Sequence, residues 1–206
     1  GERSQYPAGR PREAGIFVCV TGPSGVGKDT LIRLARAELN GRPEFLFPRR
    51  LITRPPCDFE DHQPLSPGEF RAGVRAGLFA LAWEAHGCGY AIDASAGLAL
   101  ADGLTVVCNI SRAAVPAARL RFEPLKLVAI TAPDLAIAER LAGRGREDAD
   151  AVSARMLRNA EFAVFCSEAS PDITIVNEGK PEEAACAFAA FLIGLHAGPV
   201  VDHACQ

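Results

Sequence analysis

Nine residues, Gly22-Pro23-Ser24-Gly25-Val26-Gly27-Lys28-Asp29-Thr30, constrain this chain more than any other stretch. They lie between an apolar run, Ile16 to Val20, and a helical pattern, Leu31 to Leu39. Glycines at such a junction let a strand turn into a helix while backbone N–H groups close around a phosphate, and the helix dipole favours negative charge there. Lys28 then reaches the β- and γ-phosphates of a nucleotide, so Gly22 to Thr30 is read as a phosphate-binding loop. The chain has 19 glycines but only three lysines, which makes a chance match of this spacing rare.

The rest of the chain fits a fold that can carry such a loop. Ile16 to Val20 is continuously apolar, as expected of a central parallel strand covered on both faces, with Cys19 a buried small hydrophobe. Leu104 to Ile110 and Leu125 to Thr131 read as further buried strands and Ile173 to Val176 as a shorter one. Helical patterns cover Pro133 to Leu141, Ala149 to Ala169 and Pro181 to His196, the last stopping before Gly198-Pro199. Strands alternating with helices imply an α/β fold with a parallel sheet wrapped on both sides. Residues 1–15, with Pro, Gly and charge but no periodicity, are expected to be an arm, residues 16–197 a single domain, and residues 198–206 a tail. Within the domain, residues 46–103 differ in texture, with short apolar patches and many Gly and Pro. They read as an insertion over the C-terminal edge of the sheet, where α/β proteins place ligands, and should choose the substrate.

A net charge of −3 gives no electrostatic case for nucleic-acid or anionic-membrane binding. No apolar run approaches the roughly 18 residues of a membrane span. Seven cysteines, odd in number and without C-x-x-C spacing, argue against a disulfide framework and a zinc site, and a reducing cytoplasm is the expected compartment. The expected partners are small molecules.

Phosphoryl transfer needs more cationic charge than one lysine supplies. Arg140, Arg144, Arg146 and Arg155 form a plausible cluster, and Arg144-Gly145-Arg146 suits either a closing lid over 141–155 or a solvated helix-terminal turn. Asp29 stands where Ser or Thr usually meets Mg²⁺. Its carboxylate suits Mg²⁺ as a hard oxygen ligand, or it supplies first-turn acidity to the helix, with Thr30 as the alternative ligand. Trp83 and the Phe residues between 45 and 79 read as packing. His86, His196 and His203 show no ligand spacing.

These motifs resemble the guanylate kinase group of P-loop kinases. The resemblance rests on Gly-Pro-Ser-Gly-x-Gly-Lys, Thr53-Arg54-Pro55-Pro56, Arg144 to Glu147 and Arg155, and it spans about Ile16 to Leu195. It implies a five-stranded parallel sheet, a substrate-binding excursion and an Arg-bearing lid. Two positions depart from that group: Cys57 stands where a second Arg is usual, and Leu81 falls near the Glu that reads guanine. A leucine accepts no hydrogen bond from guanine, so guanine is not the expected substrate.

A narrower pattern is similar to the ribose 1,5-bisphosphate phosphokinases of phosphonate degradation. It consists of Lys28-Asp29, Ile52-Thr53-Arg54, Leu81 to Gly87, Asn109-x-Ser111-Arg112-Ala113 and Arg144 to Glu147. One departure is Gly89-Tyr90-Ala91, where that family tends to have Tyr followed by Gly. The resemblance implies transfer of phosphate from ATP to the 1-phosphate of ribose 1,5-bisphosphate, giving 5-phosphoribosyl 1-diphosphate. Gly22 to Thr30 would hold ATP, and Lys28, Arg144, Arg146 and Arg155 would neutralise the transferring group. Arg50, Arg54 and Arg112 would bind the sugar phosphates, with His62 and Tyr90 as further candidates. Asn109 ends a strand where a Walker-B Asp is usual, and either binds a sugar hydroxyl or caps the strand. Asn177 to Gly179 are placed for adenine by position alone. The competing expectations are another small-molecule or nucleotide kinase, guanylate kinase nearest, and a silent binding module of the same fold.

Overall fold

In the computed structural model, residues 14–55, 61–133 and 160–196 are described. The chain enters through β1 (Phe17–Thr21), crosses the glycine loop and runs into α1 (Lys28–Glu38). Two short strands follow, β2 (Phe45–Leu46) and β3 (Arg50–Ile52), then β4 (His62–Pro64), α2 (Pro67–Ala76) and a hairpin of β5 (Phe79–Ala85) with β6 (Cys88–Asp93). Next come α3 (Ser95–Ala101), β7 (Thr105–Asn109), a 3₁₀ turn (Arg112–Ala114), α4 (Val115–Arg121) and β8 (Leu125–Thr131). The last elements are α5 (160–169), β9 (Ile173–Val176) and α6 (Pro181–Gly194).

The central layer is a five-stranded parallel sheet in the order β2-β7-β1-β8-β9. Its inner strands are mostly apolar because both faces are covered, and their side chains alternate between two cores. Val18, Val20, Val107, Val128 and Ile130 face Leu31 and Ala35 of α1 and Ala185, Phe188 and Leu192 of α6. Phe17, Cys19, Val106, Cys108 and Leu127 face the other way, onto Ala96, Val115, Ala118 and partly buried Phe165. The expected strands are found within a residue of their bounds, Leu125–Thr131 and Ile173–Val176 without any shift. Cys19 is fully buried, and burial pushes its thiol and that of Cys108 well up, so neither is a nucleophile.

The excursion contains a second sheet, four-stranded and mixed, in the order β4-β3-β6-β5. Its β3 pairs parallel to β4 and antiparallel to β6, and β5 pairs antiparallel to β6. The hairpin turns at His86 and Gly87, both at positive φ, as a two-residue turn between right-twisted strands requires. Helix α2 starts at a reciprocal capping box: Ser66 Oγ accepts from Glu69 N at 3.1 Å and Glu69 accepts from Ser66 N at 2.8 Å. Trp83 is 9% exposed and stacks on Tyr90 with centroids 5.4 Å apart, consistent with a packing role.

The helix expected over Pro133–Leu141 lies, from residue 134 onward, outside the described residues, as does the lid at 141–155; of that expected over Ala149–Ala169, the described part, 160–169, is helical. Among the described residues no helix is long and apolar enough to cross a membrane.

Candidate active site

The site is built at the C-terminal edge of the parallel sheet, where β1 ends and the chain must reverse direction within six residues to start α1. Gly22 passes so close to β8 that a Cβ there would stand 2.4 Å from the Ile130 carbonyl oxygen. Gly25 and Gly27 hold φ of 83° and 95°, a region disfavoured for side chains other than glycine's. Gly27 is the residue before the helix, so the loop delivers its backbone to the helix N-terminus without a capping side chain. That leaves the end of α1 open to an anion.

Two contacts hold the loop in shape. Lys28 Nζ donates to the carbonyls of Gly22 and Pro23, both at 2.8 Å, so the ammonium is set across the loop's mouth. From below, the buried Asn177 at the end of β9 donates its side-chain N–H to the Val26 carbonyl at 2.8 Å, while its backbone N–H donates to Thr131. Asn177, expected near adenine by position alone, reaches with its amide across 151 residues of sequence to support the loop. The only local signal for it is a polar residue at the C-terminal end of an apolar strand.

The charge in the site is mostly positive. Burial pulls Lys28 down to about 8; Asp29 opposes that shift, and the nearby Arg50 and Arg112 add to it. Burial likewise lowers Arg50, against the pull of Asp29 and Tyr90, with Arg54 adding its repulsion. Lys28 thus lies in the field of Arg50 and Arg112, and Arg50 in that of Arg54. A polyanion entering there relieves the repulsion among them.

Asp29 is the carboxylate beside Lys28 and Arg50, while Glu161 faces Arg112 at 3.5 Å. The Asp29 Oδ1 accepts from Asn109 Nδ2 at 2.8 Å and from Arg50 at 3.2 Å. Asn109 ends β7 and is 7% exposed; Arg50 begins β3. One oxygen thus joins α1 of the nucleotide side to the central sheet and to the excursion.

The excursion places the remaining candidates. Thr53 pairs with β6 twice, its N–H donating to the Gly89 carbonyl at 2.9 Å and its Oγ1 accepting from Gly89 N at 2.8 Å, which fixes the turn that carries Arg54. Gly89 can sit there because the Phe70 ring fills the space a Cβ would need, at 2.8 Å. His62 is 2% exposed, with Nε2 3.4 Å from the Arg54 carbonyl, and its own carbonyl accepts from Arg49 at 3.2 Å. Its ring lies beneath the Arg54 turn. Tyr90 is also buried, 7% exposed between Trp83 and the strand edge near Arg50. Arg112 leads the 3₁₀ turn after β7, 3.5 Å from Glu161 and 5.9 Å over the Phe162 ring of α5. Arg144, Arg146 and Arg155 lie outside the described residues.

Comparison with known proteins agrees with this geometry. The chain is 45% identical over 178 residues to ribose 1,5-bisphosphate phosphokinase PhnN of Methylobacterium radiotolerans, covering 86% of this chain and 97% of that protein. It is 47% identical over 180 residues to the protein of the same name from Acidiphilium cryptum, covering 87% and 93%. In fold it is similar to guanylate kinase from Anaplasma phagocytophilum, with a TM-score of 0.65 at 18% identity over 91% of this chain and 89% of that one. No family model matches the chain.

Proposed function

The chain belongs to the ribose 1,5-bisphosphate phosphokinase family, and on that premise we propose that it transfers the γ-phosphoryl group of ATP to the 1-phosphate of ribose 1,5-bisphosphate. An oxygen of the 1-phosphate attacks the γ-phosphorus and a new P–O bond forms. The bond from that phosphorus to the β–γ bridging oxygen breaks, and the electron pair leaves with ADP. The second product is 5-phosphoribosyl 1-diphosphate.

The observation that carries this reading is Asp29 at the start of α1, bonded to Arg50 of the excursion at 3.2 Å and to Asn109 at 2.8 Å, with the Lys28 ammonium set across the loop beside it. A phosphate nucleophile is already ionised at neutral pH, so the reaction calls for cations and positioning rather than a general base. Gly22 to Thr30 hold the ATP phosphates through backbone N–H groups, and Lys28 spans the β- and γ-phosphates. Arg50, Arg54 and Arg112 take the two sugar phosphates, since planar guanidinium groups match phosphate bidentately. Asn109 lies beside them for a ribose hydroxyl, Tyr90 lines the same side, and buried His62 supports the Arg54 turn. Arg144, Arg146 and Arg155 complete the charge around the transferring group, as their motif implies.

Mg²⁺ fits the donors present. Asp29 is half-exposed, and among the described residues its Oδ2 accepts no hydrogen bond, leaving a hard oxygen open to a cation. Thr30, next on α1, is the other oxygen donor at that turn. When bound, the ion neutralises charge on the ATP phosphates. Working with ATP and carrying reduced cysteines, the protein belongs in the cytoplasm.

The position near the guanine-reading Glu offers guanine no acceptor. Leu81, on β5, is 5% exposed within the apolar core between the two sheets. The test is ADP release from ATP and Mg²⁺ with ribose 1,5-bisphosphate or GMP as acceptor. Turnover of the sugar with kcat/KM for GMP at least about a hundredfold lower is expected, a gap typical of a missing buried polar partner. Robust GMP turnover without sugar turnover contradicts the reading.

A further inference from the structure

The residue that follows the loop lysine has a job that its position on α1 alone does not require. A metal ligand or a first-turn acid at residue 29 needs neither Arg50 nor Asn109. Yet Asp29 Oδ1 accepts from both, across 21 and 80 residues of sequence. Arg50 opens β3, the strand that leads to the Arg54 turn, and its side chain is 11% exposed. Asn109 is the last residue of β7, hydrogen-bonded in the sheet beside Val20 of β1.

We propose that Asp29 is a positioning residue for the sugar-phosphate side of the site, its Oδ1 orienting Arg50 and Asn109 toward the substrate whether or not a metal ion is present. The proposal rests on the kinase reading above and adds a division of labour within one carboxylate: Oδ1 serves the acceptor substrate and Oδ2 stays open on the nucleotide side.

The geometry explains why a carboxylate stands where a hydroxyl usually does. A serine hydroxyl carries one oxygen on a stem shorter by one atom, so it cannot span to two donors on separate strands and still face a metal. A carboxylate has two oxygens and several acceptor sites, and a charge-assisted bond holds a guanidinium plane more firmly than a neutral one. An acid beside two anionic substrates would repel them if it stood alone. Paired with Arg50 it adds no net charge to the mouth, while Lys28, Arg54 and Arg112 remain cationic around it.

The charge argument gives the test a sign. The full-length protein is titrated with ribose 1,5-bisphosphate by calorimetry in EDTA, with no metal and no ATP, for the native chain, Asp29→Ser and Asp29→Asn. Positioning predicts that Asp29→Ser weakens sugar binding by about tenfold or more, although it removes a negative charge, a loss in the range for a charge-assisted contact. Asp29→Asn keeps an acceptor oxygen for Asn109 and should lose less. Metal-free ATP binding should not weaken in either, because the loop holds phosphate through backbone N–H groups and the lost charge stood beside Lys28. Sugar affinity that is unchanged or tighter in Asp29→Ser, or an equal loss of ATP affinity, overturns the proposal and leaves only a metal or dipole role. If Asp29→Ser does not fold, Asp29→Asn decides on the same criterion: weaker sugar binding without weaker ATP binding supports the proposal, and unchanged sugar binding overturns it. Failure of the native chain to bind the sugar would overturn the kinase reading instead, so the two failures are distinct.

Discussion

The parallel sheet and the excursion sheet meet at Asp29, but they are built by different rules. The parallel sheet is covered by helices on both faces, so β1 and β8 are apolar runs whose alternate residues enter two cores. Its loop works through backbone atoms: glycine conformations, two carbonyls on Lys28, one on Asn177. The excursion has strands as short as three residues, one face packed into the main core and the other against Phe70 of α2, and its candidate site residues are side chains, Arg50, Arg54, His62 and Tyr90. A backbone cradle suits a ligand common to many proteins, a nucleotide triphosphate. Side chains on a variable sheet suit the acceptor that distinguishes one kinase from another.

If that division holds, the largest effect should come from the loop's one essential side chain. Lys28→Ala should lower kcat/KM by about a thousandfold or more, the scale of losing a pre-organised transition-state cation. Its melting temperature should stay within a few degrees of the native value, because among the described residues Lys28 bonds only to its own loop. Retained activity would remove the cradle from the mechanism.

A pair of substitutions separates the two regions. Asn177→Ala removes the bond to the Val26 carbonyl, costs about 0.5–1.5 kcal/mol, and should raise KM for ATP while sparing KM for the sugar. Arg54→Ala should do the reverse, raising KM for ribose 1,5-bisphosphate by about tenfold or more. Equal effects on both substrates in both variants would break the comparison.

The pH profile sharpens it further. With Lys28 held down to about 8, the free enzyme should lose ATP affinity by up to about tenfold per unit above that pH as the ammonium deprotonates, whereas the arginines facing the sugar stay charged. The stability sign is the opposite. The unfolded lysine binds its proton more tightly, so between about 8 and 10.5 the cost of burying the ammonium fades and the fold gains stability as pH rises. An ATP affinity flat from pH 7 to 9.5 would contradict the assignment.

The smallest effect lies at the outer edge of the excursion. Ser66→Ala breaks the capping box of α2 and should cost about 0.5–2 kcal/mol, read as a lower melting temperature with kcat for the sugar nearly unchanged.

The same contrast governs what the sequence reveals. β1, β7, β8, β9 and α6 were legible because burial on both sides writes long apolar runs and helix stops into the chain. The two-residue β2 was not, since Phe45-Leu46 has no periodicity and joins the sheet only by pairing with β7. Helix α2 carried a readable signal in Ser66-Pro67-Gly68-Glu69, hidden by the surrounding prolines and glycines. The glycine loop was legible by spacing, and motif singled out Arg50, Arg54 and Arg112, of which the fold brings Arg50 onto Asp29. Asn177 beneath Val26 and Glu161 beside Arg112 were not legible, because their contacts span 151 and 49 residues of sequence and no local pattern marks them. Asp29 was half legible: its unusual place after Lys28 was visible, but its partners on β3 and β7 required the fold.

The account stands most directly on where the phosphoryl group goes. Phosphorus NMR of the protein with ribose 1,5-bisphosphate, ATP and Mg²⁺ should show the 1-phosphate resonance replaced by a coupled diphosphate pair, as ADP appears in equal amount and the 5-phosphate resonance persists. An unchanged 1-phosphate, or a phosphoryl group delivered to a sugar hydroxyl, would contradict it.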